Sequence, residues 1–190
     1  MFDEIKFNEN IENGEFLKPV QLGSKIYRTG KGSKEVAFNW MCVGKYEDEG
    51  TTYYKFISDK LIINGNLINE SESFENSKEN TNTWRDTAFA EEYIKEMSTL
   101  NIEVPYELDI PSIKDVEDLV PPKRVAYFGD YNRCCESYWV KNAGKVYRRG
   151  NAGSCVTGTG YPCAYDARKF LAVRPAIWLT MNAYWEVTAR

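Results

Sequence analysis

The hydrophobic period of this chain changes twice, which constrains its fold more than any single motif. Runs rich in β-formers come first, at residues 22–28, 35–43, 51–58 and 61–63. After Trp84 the residues Ala90, Tyr93, Ile94, Met97 and Leu100 recur three to four apart, which places them on one helical face. Ser112 and Asp115 then form a capping pair ahead of Val116 and Leu119, predicting a second, shorter helix that Pro121-Pro122 stop. β-type runs return at 124–128, 137–141, 145–149 and 172–179. Strands, two helices, then strands is the signature of an α+β fold.

Local punctuation fills in the connections. Residues 44–50 have glycine at both ends and charges between, and read as a solvated hairpin loop. Asn64-Gly65 reads as a turn that ends its strand. The Ser-, Glu- and Asn-rich stretch 69–82 reads as a surface loop. Thr83 and Thr87 both stand where the first helix could be capped. Residues 1–19 are polar and acidic and close with Pro19, giving an N-terminal arm ahead of one domain over 20–190.

Composition narrows the chemistry. The chain has 190 residues and no histidine, which removes His-based triads and His-ligated metals. A formal charge of −4 argues against nucleic acid as a partner. The opening Met1-Phe-Asp-Glu-Ile-Lys-Phe-Asn-Glu lacks the apolar core of a signal peptide. The longest apolar run, 170–181, is broken by Arg174 and Pro175 and is too short for membrane insertion. Five cysteines, an odd number, fit a reducing compartment and free thiols better than a disulfide framework. A cytoplasmic protein is expected, or a virion-associated one if phage-encoded.

A set of landmarks resembles a known family. They are Leu22-Gly-Ser-Lys-Ile26, Phe38-Asn-Trp40, Phe56-Ile-Ser58, Asn82-Thr-Trp84, Ile110-Pro-Ser-Ile-Lys-Asp-Val116, Tyr138-Trp-Val-Lys141 and Val173-Arg-Pro-Ala-Ile-Trp-Leu179. Together they span Pro19 to Asn182 and are similar to an uncharacterised domain family of Firmicutes and their phages, domain of unknown function 6273. Its C-terminal pattern resembles the C-type-lectin-like fold shared by formylglycine-generating enzymes. The resemblance implies a mixed sheet with two helices and a loop-rich ligand face. It also implies a candidate copper thiol oxidase, with Cys155 and Cys163 as soft thiolate ligands. The sequence departs from those enzymes in a longer Cys155–Cys163 separation and a poorly kept Trp-rich segment before it. Shared Gly and Arg positions follow from a shared fold alone.

Other readings are weighed residue by residue. Adjacent Cys134-Cys135 make poor joint zinc ligands, so no metal and no cofactor are expected. Arg174, before proline in an apolar strand, is expected to satisfy buried carbonyls or a carboxylate, and Trp84 and Trp178 to sit in the core. Glu91-Glu92, Asp115 and Glu117-Asp118 read as solvated helix faces. The loop residues Tyr131, Arg133, Tyr147, Arg148, Tyr161, Tyr165 and Arg168 combine aromatic and guanidinium groups, as recognition surfaces do. The alternative for them is a Tyr-rich loop packed on its own domain. The expectation is a non-catalytic binding module whose partner is a protein, such as a host defence factor. A surface glycan is the second candidate. Calcium-dependent sugar binding is disfavoured by the lack of a Glu, Asn and Asp cluster in these loops.

Overall fold

A computed structural model describes residues 20–68, 84–129, 136–142, 145–146, 148–149 and 152–188. The expected N-terminal arm, the 69–82 loop, Thr83 and the Cys134-Cys135 pair lie outside them. The architecture is α+β and mostly strand. It begins with three antiparallel strands, β1 (Val20–Thr29), β2 (Gly32–Asp48) and β3 (Thr51–Ser58). The charged stretch expected as a loop is instead strand almost to its end. The turn shrinks to Glu49-Gly50, both at positive φ (45° and 79°), the conformation that matches the twist of a tight hairpin. Glycine adopts it without strain.

Short strands β4 (Lys60–Leu61) and β5 (Ile63–Gly65) follow. Asn64-Gly65 does not turn here, because both residues pair with a later strand. Gly65 is required by packing: a Cβ there would lie 2.4 Å from the Cβ of Phe89. That atom is fixed to the backbone, so the first helix would have to move. Gly65→Ala should therefore lower stability by about 1–3 kcal/mol, read from a urea melt.

A 3₁₀ turn at Trp84–Asp86 leads to helix α1 (Ala90–Ser98). Neither threonine considered in the sequence is shown as its cap. Phe89 holds the cap position, and the Thr87 hydroxyl donates to the Trp84 carbonyl (2.6 Å). Tyr93 and Met97 are buried as expected, but Ile94 is 45% exposed because it sits at the edge of the apolar stripe. Strand β6 (Glu107–Asp109) precedes α2 (Ile113–Glu117), which begins with the expected Ser112/Asp115 capping box. The two prolines do not end a helix. They open another, α3 (Pro121–Arg124), where a missing N–H costs nothing.

The remaining strands are β7 (Tyr127–Phe128), β8 (Tyr138–Trp139), β9 (Lys141–Asn142), β10 (Lys145–Val146), β11 (Arg148–Arg149), β12 (Ala152–Val156), β13 (Pro162–Asp166), β14 (Leu171–Val173) and β15 (Ala176–Thr180). Helix α4 (Met181–Thr188), which sequence patterning did not indicate, closes the described chain. Four α-helices are thus present among the described residues, against the two expected.

Two larger sheets result. The first has the order β1-β2-β3-β15-β6 and is antiparallel throughout. The second runs β11-β12-β8-β14-β5 with β13 beside β12, and its β14–β8 pair is parallel. One face of the first sheet supplies Phe38, Trp40, Tyr54, Phe56, Ile177 and Leu179 to the main core, which α1 and α4 also join. Tyr184 of α4 stacks on Phe56 at 5.7 Å. Two buried indoles are satisfied: the Trp40 N–H donates to Leu22 O and the Trp139 N–H to Gly65 O, each at 2.8 Å.

Candidate functional site

The other face of the first sheet is only partly covered, and a single extra residue decides what it displays. Cys42 pairs with Phe56, but Gly44 pairs with Lys55, so Val43 forms a β-bulge. Without it, Tyr46 and Asp48 would share the core-facing side with Trp40 and Cys42, by simple alternation. The bulge reverses the alternation and turns both residues outward. There they meet Tyr53 of β3, Trp178 of β15 and Glu107 of β6, and the five line a groove of about 300 Å³.

The groove has two aromatic walls. Tyr46 and Trp178 stand edge to face, with ring centroids 6.2 Å apart and planes at 70°. Tyr46 is 57% exposed, high for a large aromatic ring, while Tyr53 and Trp178 are half-buried. Trp178 is therefore not the core residue that its apolar run suggested. In Ala176–Thr180 only Ile177 and Leu179 point to the main core, and Trp178 shares its side with Thr180. Trp84, by contrast, is buried as expected. The exposed carboxylates Asp48 and Glu107 complete the groove.

Beneath one end lies a buried charged network. The Lys55 ammonium reaches Asp109 (3.0 Å), Asp115 (2.7 Å) and the Ile110 carbonyl (3.2 Å). Lys141 binds both Asp109 oxygens at 2.5 and 2.6 Å. The Trp178 indole N–H donates to Asp109 Oδ2 at 3.1 Å, and the Lys55 ammonium lies 5.5 Å from the Trp178 ring centroid. Asp115 is thus no solvated helix residue: the carboxylate that accepts from the Ser112 N–H also neutralises Lys55. Glu91, Glu92, Glu117 and Asp118 are exposed as expected.

Burial opposes ionisation of Asp109, yet Lys55 and Lys141 outweigh it and hold the carboxyl below its ordinary value. Burial, with Lys55 close by, pushes Lys141 down. The network fixes one edge of Trp178, so the aromatic wall is preorganised. Helix α2 and Leu119 cover the rest of this face, where Leu119 packs with Met41, Ile57 and Ala176.

Of the loop residues suggested by the sequence, Tyr161 lies at one end of β13 and Tyr165 and Arg168 at the other. Tyr131, Arg133 and Tyr147 lie outside the described residues, and Arg148 is placed on β11 opposite Gly153. Tyr161 is 65% exposed at the β12–β13 turn. Tyr165 packs against the main core with Lys169 over its ring, the self-packed alternative. Arg168 follows the far end of β13 and is engaged by Asp166 through a 2.7 Å ion pair and a second hydrogen bond of 3.1 Å.

Cys155 and Cys163 are not free thiols. They face each other across β12 and β13 with Cα atoms 5.0 Å apart and form a disulfide. As a disulfide, neither sulfur offers the thiolate that a soft metal requires. Cys42 is a free, buried thiol, and burial pushes its pKa up to about 12. Arg174 is wholly buried against carbonyls and a phenol, as the structural reading expected. Among the described residues no cluster of His, Cys, Asp or Glu is placed to hold a metal ion, and no helix is long and apolar enough to cross a membrane.

No family model, no curated protein and no solved structure matches the chain.

Proposed function

We propose that this chain is a non-catalytic recognition domain of bacterial or prophage origin that binds a protein partner through the Tyr46–Tyr53–Trp178 groove. The single observation that carries the reading is an exposed Tyr46 ring set edge to face against Trp178, whose indole is held by a buried ion network. Tyr and Trp supply contact area at low entropic cost, and fixing them beforehand raises affinity. The reading keeps the lectin-like resemblance, a host factor as partner and a virion or cytoplasmic location. Of the two locations, the virion suits the Cys155–Cys163 disulfide better than a reducing cytoplasm does. It moves the binding face from the Tyr- and Arg-bearing loop residues Tyr131 to Arg168 to the sheet, with Tyr161 as an outlying contact.

The test is a capture experiment with three baits: native chain, Tyr46→Ala with Tyr53→Ala, and Tyr161→Ala with Arg168→Ala. A protein held by the native and loop-variant baits, and lost by the groove variant, is the expected result. Capture that survives the groove change and fails with the loop change would return the site to the loops. A glycan polymer captured in place of protein would establish the adhesion reading instead. Oxidation of a thiol substrate that vanishes with Cys155→Ser would replace recognition with thiol-oxidase chemistry.

A further inference from the structure

The charges around the groove point to what fills it. Lys55 and Lys141 are set against Asp109 and Asp115, two cations against two anions, so the network under Trp178 is balanced. What remains is the pair Asp48 and Glu107, and neither has an ion-pair partner among the described residues. Lys45, the nearest cation along β2, lies on the other side of the strand and pairs with Glu47 at 3.0 Å. Two aromatic walls at 70° with two uncompensated carboxylates at their rim attract a cation with a flat or apolar body. A neutral sugar could use these carboxylates as hydroxyl acceptors but would gain nothing from their net charge, which a cation does.

Resting on the recognition reading above, we propose that the groove receives an arginine side chain presented by a basic peptide segment of the partner. The guanidinium stacks on an aromatic face and still presents its N–H groups to a carboxylate, a combination that lysine's compact ammonium does not provide. The groove, at about 300 Å³, holds one such side chain with adjoining backbone.

The test follows the five indole N–H signals of ¹⁵N-labelled protein by NMR, with Trp178 assigned from Trp178→Phe. The probes are a Gly-Arg-Gly-Arg-Gly peptide, its citrulline counterpart, a lysine counterpart and chitotriose. Citrulline keeps the shape of arginine and removes its charge. The arginine peptide should move the Trp178 signal at the lowest concentration, and citrulline should need about tenfold more. Asp48→Asn with Glu107→Gln should erase that preference, and added salt should weaken the native response. Both residues are exposed, so this variant keeps its fold. Equal response to arginine and citrulline, or a stronger one to lysine, overturns the proposal and leaves the groove as the recognition site. Response to chitotriose alone overturns it in favour of a glycan. No response to any probe overturns it too, and the three-bait capture then shows independently whether the groove still recognises a partner.

Discussion

Replacing Arg174 with methionine should cost about 4 kcal/mol or more and leave the chain largely unfolded at moderate urea. Arg174 is fully buried in the link between β14 and β15. Its Nε donates to the Ser58 carbonyl at 2.7 Å, and its terminal nitrogens donate to Lys123 O (3.0 Å), Arg124 O (3.0 Å) and the Tyr138 hydroxyl (2.9 Å). The guanidinium also lies 5.3 Å from the Tyr138 ring centroid. A single side chain therefore ties the end of β3, the end of α3 and β8 to the crossover between the sheets. Methionine fills similar volume but leaves these acceptors without a charged donor. Lysine keeps the charge and lacks the fork, so Arg174→Lys should recover only a minor part of the loss. Equilibrium unfolding followed by tryptophan fluorescence measures both, and a loss below 1 kcal/mol on the scale of surface substitutions would refute the role.

Asp109→Ala should cost about 3–5 kcal/mol, because it strands Lys141 and removes one of two anions from Lys55 inside the protein. Adding Lys141→Met to that variant should restore part of the loss, since the second change removes the orphaned charge. The pH dependence has a definite sign. Asp109 is held below the ordinary carboxylate value of 3.8 by Lys55 and Lys141 against the effect of burial. Its ionisation stabilises the fold above the unfolded value, and that contribution fades as pH falls through the lower, folded one. Native protein should lose stability below about pH 4, and Asp109→Asn should lose less across the same range. Loss of Asp109 also frees the Trp178 indole, so any groove ligand should bind the variant more weakly even where it stays folded.

The early strands and the first two helices could be read from the sequence because they rest on local periodicity. Helices α3 and α4 and strands β12 and β13 carried no such signal. The helix face around Tyr93 and Met97 and the Ser112/Asp115 box depend on residues a few positions apart, and they stand where the pattern puts them. The groove depends on four strands that meet only in the fold. No local signal marks Val43 as an extra residue, so Tyr46 and Asp48 looked like part of a charged loop. Trp178 was more accessible to reasoning. Strict alternation in Ala176–Thr180 separates it from Ile177 and Leu179, and the polar Thr180 beside it marks the outer side. The apolar run around it hid that signal. Prolines 121 and 122 misled for a different reason: the same residue that ends one helix fits the first turn of the next.

The placement of β14 and β15 governs how this protein can be made. One short stretch, 171–180, supplies the inner strand between β8 and β5 and the inner strand between β3 and β6. Until the ribosome has released it, the early hairpins and the middle of the chain have no common partner. Unpaired strand edges then stand open to other nascent chains. Folding should wait for that stretch and be slow, as such distant pairings demand.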